Sequence, residues 1–259
     1  MAGLPTSLDA FGPVALSAVA VGGYLVLGEP LVGAVLHRRF EARLRADGGA
    51  RRSFYRRLLL LEWGLALLAV LVWLAAPDVD TAAVGLRWPR SWPGAASGIA
   101  ALVVVAFVAL TTRALRGGAL TRLPPPPAAA EGRHAEQPRH ATLALLPRTA
   151  PERRLFGLVG LTAGVCEEWL YRGFGLAVLS ALAGGLPDGV LVALGAVAFG
   201  LVHAYQGVVG VVTTALLGAV LAGLYLDTGS LLFPVLLHAV VDLRFLAVPA
   251  RMLPAGGRP

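Results

Sequence analysis

Residues 155–180 read LFGLVGLTAGVCEEWLYRGFGLAVLS. This stretch is long enough for a helix to cross the hydrocarbon core of a membrane, which needs roughly 20 apolar residues. It nevertheless holds Glu167, Glu168 and Arg172 near its middle. Ionisable side chains are costly at that depth and are rare unless they have a function. The stretch therefore predicts a membrane helix with a polar site inside it.

The composition of the whole chain is that of a membrane protein. Of its 259 residues, 57% are hydrophobic and 14% are charged, against about 25% charged in a soluble domain. All 22 basic residues are Arg, a bias typical of GC-rich bacterial genomes, so we expect a multi-pass protein of a bacterial plasma membrane. The net charge of +7 lies mainly in loops, where Arg contacts lipid headgroups. The lipid bilayer is the expected partner, and nucleic acid is not.

Seven apolar segments predict an all-α fold, a polytopic transmembrane helix bundle of about seven spans. They are residues 11–36, 58–76, 95–115, 155–180, 189–206, 208–226 and 231–249. Arg-rich and Arg-poor segments alternate between these spans. The positive-inside rule then predicts an N-terminus outside and a C-terminus in the cytoplasm.

A run of four prolines at 124–127 divides the chain. Because Pro-rich chain is extended and stiff, we expect a cytoplasmic linker over residues 121–154. It would separate an N-terminal membrane region of three helices, 1–120, from a four-helix core, 155–249. The sequence indicates neither a role for the first three helices nor an oligomeric state. The single cysteine, Cys166, excludes a disulfide within the chain.

The polar residues of the four-helix core fall into three motifs at helical spacing. They are Glu167-Glu168 with Arg172, Phe199 with His203, and His238 with Asp242. Glu168 and Arg172 share a helical face and can pair, which leaves Glu167 available as a general base. Asp242 lies four residues after His238, so it can orient that imidazole.

These residues leave several functions open. In one chemistry, Glu167 and His203 activate water while His238 and Asp242 stabilise an oxyanion. In another, Glu167, His203 and His238 are zinc ligands, and the metal holds the water. A purely structural ion-pair network would need no chemistry. A small transporter with a proton relay is a further class, but we detect no inverted repeat to support it.

In order and spacing, the three motifs resemble the CPBP family (CAAX proteases and bacteriocin-processing enzymes, also called Abi). Its hallmark is Glu-Glu-x-x-x-Arg, Phe-x-x-x-His and His-x-x-x-Asn or Asp on successive membrane helices. The resemblance covers about residues 145–248 and implies an intramembrane endopeptidase that acts on a membrane-associated or hydrophobic peptide. It implies Glu167 and His203 as the water-activating pair, and His238 and Asp242 as the oxyanion side. Glu168, Arg172 and Phe199 would be supporting residues.

The resemblance also implies a glutamate-dependent reaction without a cofactor, with zinc as the alternative. A non-catalytic bacteriocin-immunity or scaffold protein of the same fold is the alternative function. One departure concerns Asp242, where the family's eukaryotic members, the Ras-converting CAAX endopeptidases, mostly have Asn. An ionised carboxylate cannot donate a hydrogen bond to an oxyanion. Asp242 is therefore expected either to be protonated or to orient His238.

Overall fold

The computed structural model of the chain describes residues 3–44, 46–118 and 143–250. These residues form seven helices, which we number α1 to α7 in chain order, and no β-strand. The helices are α1, Leu8–Leu44; α2, Ala50–Leu74; α3, Ala95–Arg116; α4, Ala150–Glu168 continued by Trp169–Gly175 and Leu176–Leu182; α5, Asp188–Val202; α6, Gly207–Thr228; and α7, Leu232–Leu243. The predicted all-α membrane bundle is confirmed.

The helices differ in their capacity to cross a membrane. Four described segments are long and apolar enough: Leu8–Leu44, Ala50–Leu74, Ala95–Arg116 and Ala204–Thr228. Helices α5 and α7 have 15 and 12 residues, and at 1.5 Å per residue they are shorter than a hydrocarbon core of ~30 Å. Both end before their predicted spans do, and each continues into a short 3₁₀ turn.

The loops meet at two opposite ends of the bundle. At the Arg-rich end, Nε of Arg51 donates to the carbonyl of Ala144 at 2.9 Å. At the other end, the Arg-poor loop at 77–94 contacts the turn after α6, where the amide of Arg90 donates to the carbonyl of Thr228 at 3.0 Å. This arrangement agrees with the alternation of Arg-rich and Arg-poor segments. The orientation of the two ends relative to the membrane stays a prediction.

A capping box begins α4. Oγ1 of Thr149 accepts from the amide of Glu152 at 3.4 Å, and Oε2 of Glu152 accepts from the amide of Thr149 at 3.0 Å. These bonds satisfy amides that the first helical turn leaves unpaired. The helix therefore begins at Ala150, inside the predicted linker of 121–154. Residues 121–142 of that predicted linker lie outside the described residues.

Helix α4 carries the first polar motif and packs against both α2 and α7. A π turn, Trp169–Gly175, follows Glu168 directly, and such turns are frequent at functional sites. Gly164 allows a close approach of α7, because a Cβ at this position would lie 3.2 Å from the Cβ of Ala239. The first and third motifs therefore face each other across a narrow gap.

The outward faces of α2 and α3 are apolar. Leu60, Leu71, Leu102 and Leu110 are each exposed by 64% or more. Exposed apolar faces of this extent are unusual on soluble monomers and mark contact surfaces, and on long apolar helices the natural contact is lipid. The bundle is therefore that of an integral membrane protein.

Candidate active site in the membrane bundle

Glu168 lies at the centre of the polar cluster. Its side chain is fully buried, and its Oε1 accepts a hydrogen bond from Nη1 of Arg172 at 2.9 Å. The same oxygen lies 2.7 Å from Nδ1 of His238. The predicted pairing of Glu168 with Arg172 is present. One buried carboxylate thus joins the first motif, on α4, to the third motif, on α7.

Arg172 brings the second motif into the same cluster. Its Cζ lies 4.1 Å from the centroid of the Phe199 ring, a cation–π contact. Its Nη2 donates to the carbonyl of Gly218 on α6 at 3.3 Å. The ring of Phe199 also lies edge-on to His238, with 5.8 Å between centroids. Arg172 and Phe199 therefore hold α4, α5, α6 and α7 together around Glu168.

The partner of His238 differs from the sequence prediction. Oδ2 of Asp242 lies 3.6 Å from Nε2 of His238, beyond the usual hydrogen-bond range. Glu168 instead contacts Nδ1, so Glu168 orients the imidazole. Oε2 of Glu167 lies 3.9 Å from Nε2. Glu168 is therefore the hydrogen-bonded partner of the imidazole, and Asp242 faces the same ring edge as Glu167. A role for Asp242 in orienting His238 stays a prediction.

His203 follows the last residue of α5 and has a defined tautomer. Its Nδ1 lies 3.0 Å from the carbonyl oxygen of Phe199. Because a carbonyl can only accept, Nδ1 carries the proton in this bond. In a neutral imidazole, Nε2 then has a free lone pair. The ring is placed to accept a hydrogen bond through Nε2.

A cavity of about 570 Å³ connects these groups. Glu167, His203 and Asp242 all line it. Its other walls come largely from α1 and α2, and it extends towards the Arg-rich end as far as Tyr55 and a segment that includes Leu145. Most of the lining is apolar, and no Arg lines the cavity within the described part of the chain. The cavity can hold an extended, largely hydrophobic group beside Glu167.

Two further carboxylates line this cavity, and the sequence reasoning missed both. Glu29 on α1 accepts a hydrogen bond from the hydroxyl of Tyr171 at 2.9 Å. Glu62 on α2 also lines the cavity. Each lies within an apolar stretch. The rule that an ionisable residue inside an apolar segment indicates a function, which identified Glu167, therefore also applies to them.

Two buried oxygens of the cavity have no partner among the residues that the structure describes. They are Oε2 of Glu62 and Oε2 of Glu167. An unsatisfied buried acceptor costs about 1–3 kcal/mol, and such groups call for an explanation such as a catalytic role or a water. Both oxygens belong to residues that line the cavity, and both have lone pairs that no described donor uses. Oε2 of Glu168 is also buried without a hydrogen-bond partner, but Oε1 of Glu168 is bonded to Arg172 and His238.

The alternative mechanism with zinc requires Glu167, His203 and His238 as ligands of the metal. Across residues 3–44, 46–118 and 143–250, no group of three His, Cys, Asp or Glu side chains is arranged to hold a metal ion. Zinc would need its nitrogen and oxygen donors to converge at about 2.0–2.2 Å. As placed here, the three side chains do not fit that requirement, so we route no step through a metal.

Comparison with known proteins agrees with the motifs. Residues 151–244 match the profile of a family described as type II CAAX prenyl endopeptidase, Rce1-like. No curated protein and no solved structure matches the chain. The match spans the three motifs and includes every residue of the Glu168 cluster. Residues 151–244 of this membrane protein therefore belong to the CAAX protease family.

Proposed function

We propose that the protein is an intramembrane endopeptidase that cleaves a membrane-associated or hydrophobic peptide with water activated by Glu167 and His203. One observation carries the proposal. Glu167 and His203 line the same apolar cavity, and Oε2 of Glu167 accepts no hydrogen bond from the described residues. Its neighbour Glu168 is bonded to Arg172 and His238. Two adjacent glutamates thus have different tasks, one chemical and one structural.

The chemistry begins with a water held between Glu167 and His203. Oε2 of Glu167 accepts a proton as the water oxygen attacks the carbonyl carbon of the peptide bond. Nε2 of His203 accepts a second hydrogen bond from the same water and orients its lone pair. When the tetrahedral intermediate collapses, the proton on Glu167 passes to the leaving nitrogen. General base catalysis of this kind contributes about 10²–10⁴-fold to the rate.

His238 is assigned to the oxyanion. Its Nδ1 is bonded to Glu168, so a proton on Nε2 makes the ring a cation whose second donor points towards Glu167 and Asp242, two residues that line the cavity. The carboxylates of Glu167 and Asp242 flank that nitrogen at 3.9 and 3.6 Å. A preorganised donor at this position stabilises charge that develops on the carbonyl oxygen.

The shape of the cavity supports a membrane-associated substrate. Leu58, Leu61, Leu65 and Leu68 of α2 line one side of it. Its extent towards Tyr55 supports entry from the Arg-rich end, which the positive-inside rule assigns to the cytoplasm. The substrate in this proposal presents a hydrophobic segment to α2 and its scissile bond to Glu167.

Two of the first three helices, α1 and α2, have a part in this proposal. Helices α1 and α2 supply Glu29, Glu62 and most of the apolar wall. We assign the N-terminal region, 1–120, to substrate binding beside the catalytic core of 155–249. The peptide would lie between the two regions.

The test compares new peptide termini in native membranes that contain either wild-type protein or Glu167→Gln. Glutamine keeps the shape of the side chain and removes the base. We expect at least one terminus that is present with wild type and absent with the variant. Identical termini, together with full complementation of a deletion phenotype by the variant, would favour an immunity or scaffold protein of the same fold.

The Asp242→Asn variant tests whether residue 242 must be a carboxylate or only a hydrogen-bonding group near the oxyanion. Glu168, and not Asp242, holds Nδ1 of His238, and an amide at 242 can donate towards an oxyanion. We therefore expect the variant to keep kcat/KM within about tenfold of wild type, well short of the 10²–10⁴-fold loss for a removed general base. The measurement is the cleavage rate of a substrate identified by its new terminus. A loss as large as that of Glu167→Gln would show that the carboxylate itself is needed.

A further inference from the structure

A second cavity lies between the C-terminal half of α3 and the end of α7. Its volume is about 420 Å³. Arg113 and Arg116 line it from α3, and Arg244 lines it from the turn after α7. Three arginines from two separate elements thus line one space, and Arg113 and Arg116 are exposed. Across the described residues, no acidic side chain lines this cavity.

The three arginines form no close ion pair, although the carboxylate of Asp242 interacts electrostatically with Arg244. No ion pair joins any of them to a carboxylate within residues 3–44, 46–118 and 143–250. Arg113 and Arg116 stand in the last turn of α3, where cations complement the helix dipole. Arg244 has the same relation to α7, because it follows the last residue of that helix and its Nη1 donates to the carbonyl of Val241. The cavity therefore carries a concentrated positive charge with room for an anion.

Two polar groups of this cavity are buried and unsatisfied. Oγ1 of Thr112 and Nε of Arg244 have no hydrogen-bond partner among the described residues. The adjacent Thr111 is different, since its hydroxyl donates to the carbonyl of Phe107 at 2.7 Å. Nη1 of Arg244 donates to the carbonyl of Val241 at 3.0 Å, which fixes the guanidinium in place. A hydroxyl and a guanidinium N–H of residues that line this cavity are thus without a hydrogen-bond partner among the described residues.

The surroundings of the cavity are apolar. Val108 and Val240 line it, and Leu110 and Leu236 nearby on the same helices are 69% and 55% exposed. The arginines lie where α3 ends, at the Arg-rich end of the bundle. An occupant would therefore combine an anionic group among the arginines with apolar chains along α3 and α7.

We propose that this cavity binds the phosphate group of an anionic phospholipid, with Arg113, Arg116 and Arg244 as the charged contacts and Thr112 as a hydrogen-bonding contact. Guanidinium groups suit phosphate because their N–H donors form a planar fork. Basic pockets between membrane helices bind lipid headgroups by the same chemistry. The acyl chains would lie against the exposed apolar faces of α3 and α7.

The test is native mass spectrometry of the full-length protein from bilayers of phosphatidylglycerol and phosphatidylcholine. The variant Arg113→Gln/Arg116→Gln/Arg244→Gln is compared with Arg52→Gln/Arg56→Gln/Arg57→Gln, which removes the same charge from an exposed part of α2. We expect the first variant to bind phosphatidylglycerol roughly a hundredfold more weakly, from the contribution of each arginine near a headgroup. Wild type and the second variant should retain it. An equal loss in both variants would show diffuse surface attraction and would overturn the proposal.

Two further measurements complete the test. Thr112→Val removes one hydroxyl with little change in volume, and we expect it to weaken phosphatidylglycerol binding several-fold. No change with Thr112→Val would remove Thr112 from the site. Inorganic phosphate is then titrated against the detergent-solubilised protein. Tight phosphate binding that depends on the same three arginines would identify a soluble-anion site and would contradict the lipid assignment.

Discussion

Replacing Arg172 by Met is expected to lower the free energy of unfolding by about 3–5 kcal/mol, the usual cost of leaving one charge of a buried ion pair unpaired. Glu168 is fully buried and bonded to Arg172 at 2.9 Å. Without the guanidinium, its charge keeps only the contact to His238. The measurement is thermal unfolding in detergent, with Arg154→Met as the control. Arg154 is exposed on the same helix, so its loss should change stability by no more than about 0.5 kcal/mol.

A double variant separates stability from activity. Replacing both members of a buried ion pair by apolar residues is often neutral or stabilising. Arg172→Met/Glu168→Leu should therefore recover stability relative to Arg172→Met. It should not cleave substrate, because the change at Glu168 removes the carboxylate that orients His238. An Arg172→Met variant as stable as wild type would contradict the claim that the ion pair between Glu168 and Arg172 stabilises the bundle.

Replacing His203 by Gln is expected to lower kcat/KM by about 10²–10⁴-fold, the range for loss of an acid–base group. The melting temperature should stay near that of wild type, because His203 follows the end of α5 and makes one hydrogen bond to a backbone carbonyl. Both quantities are measured on the same purified protein. A normal rate with an unchanged melting temperature would remove His203 from the catalytic pair.

The sequence was sufficient to predict which helices meet. Ionisable groups in apolar surroundings must pair with one another, so three motifs on separate apolar segments imply one cluster. The contact between Glu168 and Arg172 also follows from their spacing on one helix. The partner of His238 could not be obtained in this way. Asp242 lies on the same helix as His238, whereas Glu168 lies on α4. Which of the two carboxylates bonds to the imidazole depends on how closely α4 and α7 pack.

The helix ends were harder to predict than the helices themselves. The residues after α5 and α7 include apolar side chains, so hydropathy continues where helical hydrogen bonding stops. His203 consequently lies in a turn and not within a span. Glu29 and Glu62 were overlooked because each is a single carboxylate without a neighbouring motif. Their place in the cavity depends on how α1 and α2 pack beside α4.

The most direct test of the account uses purified protein in lipid bilayers and a peptide that spans a bond identified by its new terminus in native membranes. Loss of a terminus in cells could reflect another protease, whereas a purified system contains only this chain. The account predicts that wild type cleaves the peptide and that Glu167→Gln cleaves it at least about 10²-fold more slowly. An intact peptide with wild type, or equal rates for the two proteins, would contradict the claim that Glu167 activates water for peptide hydrolysis.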